Sequence, residues 1–250
     1  MDFYKFFMNS FFLPHEAIQI NTIIFPQDRS HQIMRVLRLQ AGEHVYVLDN
    51  RGNRYLTELI TVDPLATRGR IIQQELSSNE PVSNLHLFVA ITQRDKLEWI
   101  FQKCTEIGVN QFTPVVTRRS LSQETVANAR KQERWTKIVM EAAEQSQRDC
   151  IPEIHPTIPL ANCLSYAGDY KLVAYENEKI VSIPDALPEA SPANVAILVG
   201  PEGGFSVEEI VLLDAQGWRA VSLGRRVLRM ETAAIVACTL ILHHLGEMGI

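Results

Sequence analysis

Leu198-Val199-Gly200-Pro201-Glu202-Gly203-Gly204-Phe205-Ser206 decides the reading of the fold. A short apolar run, of the kind found in strands buried on both faces, enters a turn with three glycines. Ser206 followed by Glu209 is the side-chain pattern of a helix start. Strand, glycine turn and helix in that order form the unit of parallel α/β sheets. Glycines in such a turn let backbone N–H and C=O groups approach a ligand that side chains would hold off. No GK[ST] follows and the spacing is not GxGxxG, so neither phosphate-loop nor dinucleotide binding is indicated. The plain alternative is a turn that only redirects the chain.

A second such loop lies a short distance on, at Leu223-Gly224-Arg225-Arg226-Val227-Leu228-Arg229-Met230-Glu231-Thr232-Ala233-Ala234. The run Ala220 to Leu223 reads as a buried strand that ends in glycine, passes through a basic loop and enters an apolar helix. Open α/β sheets gather ligands where loops leave the C-terminal ends of strands, so the two loops predict one pocket. Taken singly, Arg229 and Glu231 read as a salt bridge at a helix start, and Thr232 as a cap. Upstream, Leu85 to Ile91 reads as a strand. Leu97, Ile100, Phe101, Cys104 and Ile107 make an amphipathic helix stopped by Gly108. Residues 111–116 resume a strand, with Pro114 pointing to an edge or irregular position. Trp135, Ile138, Val139, Ala142 and Ser146 mark a second helix, and Lys171 to Tyr175 and Val195 to Val199 are further buried strands. Residues 83–250 are therefore expected to form an α/β domain with a parallel sheet.

Before the polar stretch Ser77 to Pro81 the pattern differs. Val45 to Leu48 and Tyr55 to Val62 flank Asp49-Asn50-Arg51-Gly52 as a hairpin, Arg70 to Leu76 continues in strand, and helical periodicity is confined to His31 to Leu39. The N-terminal MDFYKFFMNSFFL reads as a first strand. Residues 1–78 are thus expected to form a small β-barrel, typical of a binding platform.

Of the 250 residues 46% are hydrophobic and 21% charged, which excludes a disordered or collagen-like chain. Cys104, Cys150, Cys163 and Cys238 form no CxxC pair, so no zinc site is expected, and the few scattered thiols suit a reducing cytoplasm. The apolar run Thr232 to Leu242 is about half of what a bilayer needs. No GxSxG, HExxH or nucleophile–base pattern supports hydrolase chemistry. The net charge of −5 argues against a nucleic-acid partner until it is divided. Residues 151–250 hold 6 basic and 12 acidic side chains, whereas residues 83–150 hold 10 and 8. That cationic middle comprises Arg94, Lys96 and Lys103, then Arg118 and Arg119, then Arg130, Arg134 and Lys137 on one helix face. A smaller basic group is His31, Arg35 and Arg38.

Across nearly its full length the chain resembles the RsmE-type methyltransferases, of the SPOUT superfamily. The matching stretches are HQIMRVLRL from His31, KLEWIFQKCTEIGV from Lys96, AAEQSQRDCIP from Ala142, LVGPEGGFS from Leu198 and LGRRVLRMETAA from Leu223. The resemblance implies a PUA-like β-barrel for RNA followed by a trefoil-knotted SPOUT domain that forms a homodimer. It also implies S-adenosylmethionine-dependent methylation of N3 of a uridine in 16S ribosomal RNA of the small subunit. The implied cofactor residues are Tyr175, Leu198, Val199, Gly200, Glu202, Gly203 and Gly204, then Leu223, Gly224, Val227, Leu228, Arg229 and Thr232. Members often carry an arginine near the start, where this chain offers Lys5 or Asn9-Ser10.

N3 of uracil is a poor nucleophile until its proton leaves, and a nearby cation favours the anion. Arg229, Arg94 and Lys96 are the expected sources of that field. Lys5, His31, Arg35, Arg38, Lys103, Arg118, Arg119, Arg130 and Arg134 are the expected RNA contacts. The alternatives are a SPOUT enzyme acting on another RNA, such as a transfer RNA, and a non-catalytic RNA-binding assembly factor.

Overall fold

Phe11, Ile23, Phe25, Ile33, Val45, Val47 and Leu59 are buried together in the N-terminal part of the chain, and a separate set around Phe88, Leu198 and Trp218 is buried in the C-terminal part. The structure, a computed structural model, describes residues 8–76, 79–123, 129–189 and 193–248. The two cores belong to two compact units: Met1–Glu80 with Ala143–Ile151, and Pro81–Ala142 with Pro152–Ile250. Lys5 lies outside the described residues.

In the first unit β1 (Ser10–Phe12), β2 (Thr22–Ile24), β3 (His44–Leu48), β4 (Asn53–Thr61) and β5 (Arg68–Leu76) form a sheet in the order β1-β3-β4-β5-β2. The expected hairpin is the antiparallel β3/β4 pair, and β1 alone joins in parallel, beside β3. Register shifts leave Ile72 of β5 unpaired opposite Leu56/Thr57 and Ile60 of β4 unpaired between Leu59 and Thr61, two bulges that bend the sheet in the manner of a PUA-like barrel. The helical reading of His31 to Leu39 is corrected in form. A short helix α1 (Gln27–His31) widens into one π turn at Gln32–Val36, which buries Ile33 and leaves His31, Arg35 and Arg38 exposed.

The second unit is a parallel sheet. β6 (Asn84–Ala90), α2 (Arg94–Ile107), β7 (Gln111–Val116), α3 (Ala129–Gln145), β8 (Glu153–Ile154), β9 (Ile158–Pro159), α4 (Leu160–Cys163), β10 (Tyr170–Ala174), α5 (Ile183–Ala186), β11 (Asn194–Val199), α6 (Val207–Ala215), β12 (Arg219–Val221) and α7 (Met230–His244) follow in chain order. The strands run β12-β10-β11-β6-β7-β8, with β9 also on β7. The continuous apolar runs of β6 and β11 pair along their whole lengths, as strands covered on both faces should. Gly108 closes α2 with φ +119°, a left-handed turn that a side chain resists. Pro114 is interior rather than on an edge. It lies where the partner of β7 changes from β8 at Gln111–Phe112 to β9 at Val115–Val116, so its missing N–H falls at a lapse in pairing.

α2 and α7 pack on each other, and Cys104 of α2 hydrogen-bonds Cys238 of α7. That bond and burial push the Cys104 thiol well above its ordinary pKa, so it packs as a protonated, apolar group. All four cysteines are free. Among the described residues no helix is long and apolar enough to cross a membrane, and no group of His, Cys, Asp and Glu could hold a metal ion.

Candidate active site

The four strands β12, β10, β11 and β6 lie side by side and parallel, so the loops that leave their C-terminal ends emerge together. These are Ser222 to Arg229 after β12, Tyr175 and Glu176 after β10, Gly200 to Ser206 after β11, and Ile91 to Gln93 after β6. The first three of these loops border a cavity of about 420 Å³ whose wall also includes Lys96 on the first turn of α2 and Met230, Glu231 and Ala233 on α7. Ligands of open α/β sheets collect at this place.

Each loop is fixed by local chemistry. Ser206 caps α6: its N–H donates to Glu209 Oε2 at 2.8 Å, and the Glu209 N–H donates to Ser206 Oγ at 3.3 Å. The other oxygen of Glu209 accepts the Arg118 N–H at 2.8 Å, so one buried carboxylate ties the turn to the chain after β7. Gly204 has φ +66°, and a Cβ there would collide with the Glu176 carboxylate. Arg119 Nη1 donates to the carbonyls of Gly203 at 2.6 Å and Phe205 at 3.4 Å. Arg229 is the N-cap of α7 with an extended backbone, and its exposed guanidinium has no hydrogen-bond or ion partner among the described residues. The salt bridge expected of Arg229 and Glu231 is not formed. Instead Glu231 Oε2 is buried without a partner among the described residues.

Glu202 Oε1 accepts from Thr92 Oγ1 at 2.6 Å and from Lys96 Nζ at 2.7 Å. Burial alone would raise the Glu202 carboxyl pKa, but these two donors outweigh it and hold the group below its ordinary value.

Of the residues proposed from sequence, Tyr175, Val199, Gly200, Glu202, Gly203, Gly204, Leu223, Gly224, Val227, Leu228, Arg229 and Lys96 line the cavity. Leu198 does not; it is fully buried in the core beneath the turn. Thr232 is exposed on α7 and outside the lining. Arg94 is also outside: its guanidinium faces Glu98 at 3.4 Å and Asp95 at 3.7 Å on the surface of α2. Several basic side chains proposed as RNA contacts are engaged within the protein. Arg119 braces the glycine turn, Arg134 makes a two-pronged pair with Glu98 at 2.6 and 2.7 Å, Lys103 pairs with Glu106 at 2.8 Å and Arg118 with Glu208 at 3.3 Å. Arg130 is exposed on α3, and His31, Arg35 and Arg38 carry no side-chain partner among the described residues. Sequence reasoning missed Thr92, Glu176 and Arg226. Thr92 and Glu176 each follow a strand by one or two residues, the same signal that singled out the glycine loops.

Family models and known proteins agree with this arrangement. Residues 78–242 match the RNA methyltransferase domain, and residues 25–66 the RNA methyltransferase PUA domain. Ribosomal RNA small subunit methyltransferase E of Mesomycoplasma hyopneumoniae is 33% identical over 82% of this chain and 88% of that protein. The Bacillus subtilis protein of the same name is 32% identical over 84% and 86%. The crystal structure of the Neisseria gonorrhoeae methyltransferase E, bound to S-adenosyl methionine, superposes with a TM-score of 0.86 at 28% identity, covering 94% of this chain and 97% of that one.

Proposed function

This chain belongs to the ribosomal RNA small subunit methyltransferase E family, and on that footing we propose that it transfers the methyl group of S-adenosylmethionine to N3 of one uridine in 16S ribosomal RNA. The observation that carries the reading is the cavity at the C-terminal ends of the parallel strands β10, β11 and β12, lined by the glycine turn and the basic loop together. The cofactor fits what lines it. Val199, Leu223, Val227, Leu228 and Met230 offer apolar surface for a purine, and the turn at Gly204 brings backbone where a side chain would intrude. The orphaned Glu231 oxygen in the wall suits a cationic ligand. Bound there, S-adenosylmethionine supplies an electrophilic methyl on a sulfonium.

The chain's own part is to position and to stabilise charge. Holding the uracil ring in line with the methyl turns a bimolecular displacement into a unimolecular one. The unpaired Arg229 guanidinium at the cavity edge favours the imide anion over the neutral base. Arg94, which faces Glu98 away from the cavity, takes no part.

Division of labour follows from what is exposed. Residues 83–250, apart from the segment Ala143–Ile151 that clusters with the first unit, form the methyltransferase domain, and residues 1–78 the RNA-binding platform, where His31, Arg35 and Arg38 meet phosphates. The chain of residues 83–250 closes a trefoil knot, two copies pair as a homodimer, and the enzyme works in the cytoplasm on assembled small subunits. The family resemblance supports these points, and the acidic residues 151–250, which disfavour loose binding to naked RNA, fit a shaped target. Incubation with labelled S-adenosylmethionine and undermethylated small subunits, beside naked 16S RNA, tests the reading. The expected outcome is one N3-methyluridine per particle by mass mapping and little on naked RNA; no label on either overturns it.

A further inference from the structure

We propose that Glu202 is the group that takes the N3 proton of the target uridine, with Lys96 and Thr92 as its positioning residues. The inference rests on the methylation reading above and adds the proton acceptor that reading lacks. Thr92 and Lys96 come from the segment after β6, Glu202 from the turn after β11, and these strands pair at Phe88↔Leu198 and Val89↔Val199. Adjacent strand ends therefore bring the three side chains together where Lys96 and Glu202 line the cavity, with Thr92 behind Glu202. Both donors, at 2.6 and 2.7 Å, converge on Oε1. That fixes the plane of the carboxylate and leaves Oε2 without a partner among the described residues.

The other carboxylates of the cavity are placed for other work. Glu176 lies against Gly204, and Glu231 has an oxygen sealed from solvent. Neither has a cation paired with it among the described residues, whereas the Glu202 charge is already balanced by Lys96. A further cation gains less from such a pair, while a neutral N–H donor such as an imide can still use the free oxygen. Burial would favour the protonated acid, but the Lys96 and Thr92 hydrogen bonds keep the group ionised and able to accept.

The step balances. The N3–H bond breaks with its proton passing to Glu202 Oε2 and its electron pair staying on N3. That pair forms the N3–CH₃ bond as the methyl–sulfur bond breaks, and the sulfur keeps the electrons as a neutral thioether. Glu202 then releases its proton to solvent. Transfer to Glu202 has a second effect: the ion pair becomes a neutral acid beside an uncompensated Lys96 ammonium. The positive field therefore appears at the moment the imide becomes an anion.

Single-turnover methylation of undermethylated small subunits by E202Q, T92V and T92S, with calorimetric titration of S-adenosylmethionine into each, tests the proposal. E202Q is expected to slow transfer by about 10²-fold or more, with the cofactor Kd within about threefold of wild type, which also shows that the variant is folded. T92V is expected to slow transfer by about three- to tenfold, and T92S to restore it. Small subunits from cells grown in 5-fluorouracil carry a more acidic N3–H, and on these the E202Q defect should shrink. Transfer by E202Q at the wild-type rate, a Kd raised in proportion to the rate loss, or a defect indifferent to the fluorine overturns the assignment. Absence of transfer by wild-type protein instead overturns the methylation reading.

Discussion

The guanidinium of Arg29 and the carboxylate of Glu144 meet at 2.8 Å in the N-terminal unit although 115 residues separate them in sequence. Their side chains are 10% and 8% exposed. Glu144 Oε1 also accepts the Phe12 N–H at 2.9 Å, which anchors β1. The same segment supplies Asp149 to Arg54 at 2.8 Å and Arg148 to Glu80 at 2.6 Å, and Arg54 lies 4.8 Å over the Tyr46 ring. Residues 143–151 are thus built into the barrel unit by buried ion pairs.

Removing one partner of such a pair leaves the other charge buried and unmatched, at a cost of about 3 to 5 kcal/mol. Glu144→Ala is expected to lower the urea midpoint accordingly. Glu208→Ala breaks the pair between Arg118 and Glu208, whose side chains are 70% and 73% exposed, and should leave the midpoint nearly unchanged, because solvent screens both charges. Equal effects would contradict the burial seen for Arg29 and Glu144.

Arg119→Ala separates two readings of one arginine. Because its guanidinium holds the Gly203 and Phe205 carbonyls, the expected effect is on the cofactor loop: S-adenosylmethionine affinity by calorimetry falls about tenfold, as for loss of a charged hydrogen bond. RNA affinity and its salt slope stay within about twofold in filter binding. A reduced salt slope with intact cofactor affinity would return Arg119 to the phosphate contacts.

Arg229→Ala is expected to cut methyl transfer by about 10²-fold or more with cofactor binding retained, as for a lost charge stabiliser. Turnover near wild type in the small-subunit assay would remove Arg229 from the chemistry.

His86 gives a pH dependence. Its ring is buried, stacks on Phe88 at 4.1 Å and shares a 2.7 Å hydrogen bond with Thr113 Oγ1. Burial, with His155 5.2 Å away, pushes its pKa down to about 3 from the ordinary 6.5. The unfolded chain therefore binds a proton from which the folded chain is spared. Stability is full above pH 6.5 and is lost as pH falls from 6.5 toward 3, by about 2 kcal/mol at pH 5 from this group alone. Urea unfolding at pH 7.5 and 5 should show that slope, and His86→Gln should flatten it whatever it does to stability at pH 7.5.

What was legible in the sequence was whatever local chemistry encodes. The Ser206/Glu209 cap, Gly108 behind its helix and the hairpin around Asn50 all fall within a few residues of their partners. The cavity was legible because both glycine loops leave strands, and the rule about strand ends needs no partner to be known. The place of residues 143–151 was not, because Glu144 and Asp149 find Arg29 and Arg54 at separations of 115 and 95 residues and read in sequence as ordinary helix and turn charges. The bracing contacts of Arg119 were hidden for a related reason: its partners are backbone carbonyls, which leave no mark in a sequence. Arg134 and Arg94 both meet the Glu98 carboxylate, and the longer of these two links, 36 residues from Arg134, is one that sequence spacing does not reveal.

The cavity wall is assembled from segments near residues 96, 175, 202 and 226, which lie far apart in the sequence. During synthesis the β12 strand and the loop that follows it are made after the other three segments. A nascent chain thus meets nearly its whole sheet before it owns a complete ligand wall, and ligand binding cannot assist earlier folding steps. Parallel strands paired across such sequence distances form slowly. Added cofactor should accordingly slow the unfolding of finished protein while leaving the refolding rate of the early sheet unchanged.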